Sequence, residues 1–149
     1  MKKQLAIMVT CVLFLTLSLS GCEQFVNKPD HVEVNVMVAV SITVVDENYN
    51  PVNINCDGTL VKIEVSKTGE NQYMFERYVQ NGYGRASCSY TLTQGQSINC
   101  IATILYTFIN GSVIEIGNST LTWETAYANM DLGGVYNWYP YITITIRRA

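Results

Sequence analysis

The sequence predicts an all-β sandwich of about seven or eight short antiparallel strands, and three observations predict it. Apolar residues recur at every second position in several separate stretches, turn residues interrupt these at sandwich-like intervals, and no long amphipathic helix pattern follows residue 21.

The clearest strand covers residues 32–44. Val32, Val34, Val36, Val38, Val40, Ile42 and Val44 occupy every even position, with Glu33, Asn35, Ser41 and Thr43 between them, so one face is buried and the other is wet. Residues 46–51 have turn composition. Alternation resumes with Val61, Ile63 and Val65 against Lys62 and Glu64, and residues 67–71 end it. Residues 73–79 form a third strand. Asn81, Gly82 and Gly84 then break the chain before residues 85–92, where Ala86, Cys88, Tyr90 and Leu92 share one face and Ser87, Ser89 and Thr91 the other.

Residues 98–108 follow, and the Asn110-Gly111 dipeptide predicts a two-residue hairpin returning through residues 113–116. Residues 121–128 are read as a strand, although Trp123, Ala126, Tyr127 and Met130 also satisfy helical spacing. The last strand is residues 141–146, in which Ile142, Ile144 and Ile146 alternate with Thr143 and Thr145.

The first residues have a different character. Lys2 and Lys3 precede an apolar run over residues 5–17, and the small residues Ser18, Ser20 and Gly21 stand just before Cys22. That order is a charged segment, a hydrophobic segment and a cleavage zone, expected to be a helical signal peptide. The apolar run is shorter than the roughly 20 residues a spanning helix needs, and Glu23, Gln24, Asn27, Lys28 and Asp30 follow at once.

Leu19, Ser20, Gly21 and Cys22 resemble the lipobox of prokaryotic lipoproteins. The resemblance implies that the Cys22 thiol is acylated and becomes the first residue after cleavage, and two or more acyl chains anchor stably where one binds marginally. The alternative is an ordinary secretory signal with an incidental cysteine. The expected organisation is signal peptide 1–21, lipid-anchored tether 22–31 and sandwich domain 32–149, facing the extracytoplasmic side of a cell membrane.

Removal of residues 1–21 leaves 128 of the 149 residues, enough to bury a core without staples. Lys2 and Lys3 leave with the signal, so seven basic residues face all twelve acidic ones and the formal charge is −5, which argues against a nucleic-acid partner. With Cys11 removed and Cys22 committed to lipid, Cys56, Cys88 and Cys100 remain in an oxidising compartment. Cys88 and Cys100 lie symmetrically about Gln94, so a hairpin turn over residues 93–96 would bring them together across two strands as a disulfide. Pairing of Cys56 with either stays open.

The segment 44–102 is similar to the immunoglobulin-like and carboxypeptidase-regulatory-like modules of bacterial and archaeal surface proteins. The similarity is carried by the acidic turn Asp46, Glu47, Asn48, Tyr49, followed by Asn50, Pro51 and Val52. Gly84, Arg85 and Ala86 add the step that opens a later strand, and a turn at Gly95 and a strand ending near Ala102 follow. It implies an immunoglobulin-like sandwich without catalysis of its own, used as a spacer, an adhesion unit or a ligand platform; a fold does not choose among these.

Candidate sites are sparse. His31 is the single histidine and stands before the first strand without an evident acid or nucleophile partner, and a zinc site would need more histidine or paired cysteines. Asp46, Asn48, Asn50 and Asp57 occupy positions 1, 3, 5 and 12 of a calcium-loop pattern, but Pro51 stands where the turn glycine belongs and Asp57 replaces the bidentate Glu, so an ordinary turn is preferred. The aromatic run Tyr136, Trp138, Tyr139 and Tyr141, with Trp123 and Tyr127 upstream, would stack on a sugar face or on a partner's apolar groups if it lies on the surface; core packing is the competing reading.

The expected function is that of a non-enzymatic binding or interaction module of the cell envelope, held to the membrane through Cys22, with an envelope protein or a glycan as partner and no cofactor. A structural spacer or envelope-assembly lipoprotein without its own ligand is the first alternative. An enzyme using Asp131, Glu124 or His31 is the second. Exposed aromatics would favour binding and a uniformly polar surface the spacer.

Overall fold

The computed structural model describes residues 29–109 and 113–148; the expected signal segment, Cys22 and the tether up to residue 28 lie outside them. The elements in chain order are β1 (His31–Val45), β2 (Pro51–Val52), β3 (Leu60–Lys67), β4 (Tyr73–Tyr78), β5 (Gly84–Thr93), β6 (Ser97–Tyr106), β7 (Val113–Glu115), β8 (Gly117–Thr122), α1 (Trp123–Asn129), β9 (Val135–Trp138) and β10 (Tyr141–Arg147). They form a two-sheet β-sandwich.

Sheet A is built on β1, the longest strand. One side of β1 carries β5 along residues 31–40 and then β2 at Val44 and Val45, both antiparallel. The other side carries β9 and then β10, both parallel to β1, and β7 closes the edge beyond β10. The parallel pairings depart from the expected all-antiparallel sandwich: the two ends of the domain run side by side in one direction. Glu33 pairs with Val135 and Ala39 with Tyr141, the same offset, so β9 and β10 are one continuous line interrupted only at Tyr139-Pro140. Pro140 has no N–H to give, but its carbonyl accepts from Ala39 N at 3.0 Å and keeps the register.

Sheet B has the order β4-β3-β6-β8, antiparallel throughout. The alternation of β1 puts Val32, Val34, Val36 and Val40 at zero exposure against Val61, Ile63 and Val65 of β3 and Ile98, Cys100 and Ala102 of β6. Ile142 and Ile144 complete the core from β10, and each such side chain contributes about 1.5–3 kcal/mol by leaving water. Gly84 opens β5 where the sheets approach closely: a Cβ there would sit 2.8 Å from Val61 Cγ2.

Three local expectations are corrected. The turn over residues 93–96 forms, with Gln96 N donating to Thr93 O at 3.1 Å and Gly95 at φ 81°, but it carries the chain from sheet A to sheet B. β5 is committed to β1 and β6 lies between β3 and β8, so Cys88 and Cys100 are not cross-strand neighbours, and Cys56, Cys88 and Cys100 are all free thiols. The hairpin expected at Asn110-Gly111, residues outside the described ones, does not pair its flanking strands: β7 joins β10 in sheet A, while the free edge of β6 is taken by β8.

The third correction is α1, where a strand was expected. The Thr122 side chain caps the helix by accepting from Thr125 N, and Glu124 in the first turn suits the positive end of the helix. Trp123, Ala126 and Tyr127 lie on one face of α1 against the core, with Met130 packed beside them at the C-cap, so burial favours the 3.6-residue period. His31, expected in the tether, is the first residue of β1 and pairs with Thr93.

Candidate functional site

The fold divides the aromatic run. Tyr136 and Trp138 are partly buried against the main core, as are Trp123 and Tyr127, whose rings stack at 4.5 Å. Core packing accounts for these four. Tyr139 and Tyr141 are 67% and 58% exposed, because their odd register positions face outward from sheet A.

That outer face can be read row by row from the strand pairing. Ser89, Asn35 and Asn137 stand abreast and are hydrogen-bonded in series: Ser89 Oγ donates to Asn35 Oδ1 at 3.0 Å and Asn35 Nδ2 to Asn137 Oδ1 at 3.0 Å. The next row brings Ser87 beside Met37, and the one after it Arg85 beside Ala39 and Tyr141. Ser41 follows with Thr143, their hydroxyls 3.4 Å apart.

Met37, Ala39 and Ser87 floor a shallow groove of about 560 Å³ between Tyr139 and Tyr141 on one side and Arg77 and Arg85 on the other. Its walls are braced. Tyr141 donates its phenol to Ser41 Oγ at 2.9 Å and sets its ring edge-on to Tyr83 at 6.0 Å. The Arg85 guanidinium lies 5.2 Å from the centre of the Tyr83 ring, and that of Arg77 lies 5.3 Å from the Phe75 ring. Arg77 also donates to the Glu76 carbonyl at 2.8 Å. Among the described residues neither arginine has a carboxylate partner within ion-pair distance.

A second concavity of about 420 Å³ adjoins the groove at Arg77 and Arg85, which line both, and adds Tyr83, Tyr78, Gln80 and Glu76. The two arginines therefore stand between two adjoining concavities.

The remaining candidates go elsewhere. Both oxygens of the Asp46 carboxylate accept hydrogen bonds within its own turn, from Asn48 N at 2.8 Å, Asn50 N at 2.9 Å and Asn50 Nδ2 at 3.0 Å, and the Asn50 donors hold its pKa below the ordinary carboxylate value. Asp57 accepts from Asn81 N and Gly82 N and ties a different turn. The four residues of the calcium-like pattern thus serve two separate turns. Asp131 accepts from Gly133 N and Val135 N, Glu124 is exposed on α1, and His31 Nδ1 lies 3.0 Å from Asp30.

Sequence reasoning missed Tyr83, Arg85, Arg77, Ala39 and Ser87. Alternation places Arg85 and Ser87 outward on β5, but only the pairing of β5, β1 and β10 brings them beside Tyr141. Comparison with protein-family models, with curated proteins and with solved structures gives no match to this chain.

Proposed function

We propose that this chain is a lipid-anchored, non-enzymatic binding module of the cell envelope, with an immunoglobulin-like sandwich that presents the groove between Tyr139, Tyr141 and Arg85. The observation that carries the reading is the exposure of Tyr139 and Tyr141 beside a groove floored by Met37, Ala39 and Ser87, next to the hydrogen-bonded row of Ser89, Asn35 and Asn137. Tyr141 is held in place by Ser41 and Tyr83, so its ring binds at low ordering cost, and exposed aromatic clusters of this kind mark interaction surfaces.

Anchoring rests on the order of charged, apolar and small residues before Cys22, and on the lipobox resemblance. The immunoglobulin-like reading rests on the two-sheet sandwich together with the Asp46-to-Val52 turn, which closes on itself through Asp46 N to Asn50 O at 3.0 Å. The parallel pairing of β1 with β10 is this chain's own variation on that theme.

Two measurements test the proposal. The full chain expressed in a bacterial host with an alkyne-labelled palmitate should take up label and fractionate with membranes, and Cys22→Ala should lose both; retention of membrane association in the variant refutes the anchor. A photoreactive phenylalanine analogue at position 139 of the full chain should give a discrete adduct in intact cells, abolished by Tyr141→Ala. No adduct at position 139 would shift the reading to a spacer.

A further inference from the structure

We infer that the groove takes a carboxylate-bearing polysaccharide, a specification that rests on the binding reading above. The charge pattern comes first. The domain carries a formal excess of acid, yet two of its few basic side chains, Arg77 and Arg85, converge on the groove, and among the described residues no carboxylate lines it. Glu76 enters only in the adjoining concavity. Each guanidinium is steadied by an aromatic ring and left without an ionic partner among the described residues, an arrangement complementary to an anion.

The neighbours of the arginines select a sugar polymer over other anions. Tyr139 and Tyr141 offer apolar ring surface for the C–H face of a pyranose, and Ser87 on the floor offers a hydroxyl in reach of sugar hydroxyls. The floor, formed by Met37, Ala39 and Ser87, is open along its length and does not, among the described residues, enclose a side chain as the anchoring pocket of a protein partner would. The second concavity adjoins at Arg77 and Arg85 and extends to Tyr78, so a polymer seated in both would place more than one residue along this face, with its carboxylates at the two arginines.

Affinity electrophoresis of the detergent-solubilised full-length protein provides the test. Native gels contain polygalacturonate, alginate or hyaluronan, their carboxyl-reduced counterparts, or polyaspartate. Retardation is expected with at least one uronate polymer, and not with its reduced form or with polyaspartate. It should weaken at least about tenfold in Arg85→Gln and in Tyr141→Ala, the loss of one charge-assisted contact or of one stacking ring. An unchanged circular-dichroism spectrum of each variant shows that its sandwich is intact, and Thr120→Ala, on the opposite sheet, should bind as the wild type does.

No retardation by any of the three polymers overturns the inference, equal retardation by the reduced polymers makes the ligand a neutral glycan, and equal retardation by polyaspartate leaves only non-specific charge attraction. The position-139 adduct separates the two levels of the argument. An adduct with a protein refutes the polysaccharide and leaves the binding module standing; absence of any adduct refutes both.

Discussion

The phenol of Tyr90, on the inner face of β5, donates to the carbonyl of Val65 on β3 at 2.8 Å, joining the two sheets through a polar contact at the rim of an apolar core. The same hydroxyl lies 3.3 Å from the carbonyl of Asn71 in the turn that follows β3. Lys67 reinforces the joint from the end of β3: its Nζ donates to Thr91 O at 2.7 Å and pairs with Glu70 while the residue is only 6% exposed. β5 thus pairs with β1 in one sheet and is clasped to β3 in the other.

Removing only the hydroxyl isolates this clasp. Tyr90→Phe keeps the ring and should destabilise the fold by about 1–2 kcal/mol, the net worth of a buried hydrogen bond whose acceptor loses a partner. Urea unfolding should show a lower midpoint at unchanged slope. A midpoint equal to that of the wild type would mean that the contact contributes nothing to holding the sheets together.

The cysteines give a prediction of opposite character, since here the fold suppresses chemistry. Burial raises Cys88 to about 11, and burial followed by the proximity of Cys88 raises Cys100 to about 12; burial also raises Cys56. At pH 8 only about one Cys88 in a thousand is thiolate, the reactive form. Iodoacetamide should therefore leave the peptides carrying Cys56, Cys88 and Cys100 unlabelled in native protein and label all three in urea without reductant. A mass spectrum showing two of them unlabelled in urea until reductant is added would restore a disulfide.

These shifts fix the sign of the alkaline response. Tyr90, raised by burial to about 12, and the two core thiols are all held in their neutral, protonated forms by folding. The unfolded chain gives up these protons first, from about pH 9 for cysteine and pH 10 for tyrosine, so it binds fewer protons than the native state above that point. Stability is then complete below about pH 9 and falls progressively towards about pH 12. The melting temperature should drop between pH 8.5 and 10.5, and drop less steeply in Tyr90→Phe/Cys100→Ala. Equal slopes in the two proteins would assign alkaline unfolding to other groups.

How much of this was legible beforehand depends on range. Val32 to Val44 and Arg85 to Leu92 declare their buried faces through a period of two, because each position answers to the core independently. Partner choice is another matter. A turn at Gly95 looks the same whether the chain folds back in its own sheet or arches to the other, and the parallel alignment of Ala39 with Tyr141 joins residues whose separation leaves no local trace. For Trp123 and Tyr127 both periods were present in the sequence, and a cap at Thr122 together with burial of Ala126 decides for the helix. The candidate site was half visible for the same reason: its tyrosines form a run, whereas its arginines arrive by sheet pairing.

Where the chain passes from β7 in sheet A into β8 of sheet B it crosses β10, and Gly117, the first residue of β8, marks the crossing. A Cβ at this position would lie 2.3 Å from Ile142 Cγ2 and 2.5 Å from the carbonyl oxygen of Thr143. Ile142 is buried, and Thr143 is held in register opposite Ser41, so neither side of the contact can withdraw without loosening the β1–β10 pairing. Overpacking at such a site costs typically about 1–3 kcal/mol and more where backbone must move. Gly117→Ala should therefore lower stability by at least about 2 kcal/mol. Trimming Ile142 to Ala in the same chain should recover nothing, because the clash with the Thr143 carbonyl remains and a cavity is added. Full recovery in the double variant would place the conflict at the side chain alone, and the crossing would then be a matter of core volume instead of backbone approach.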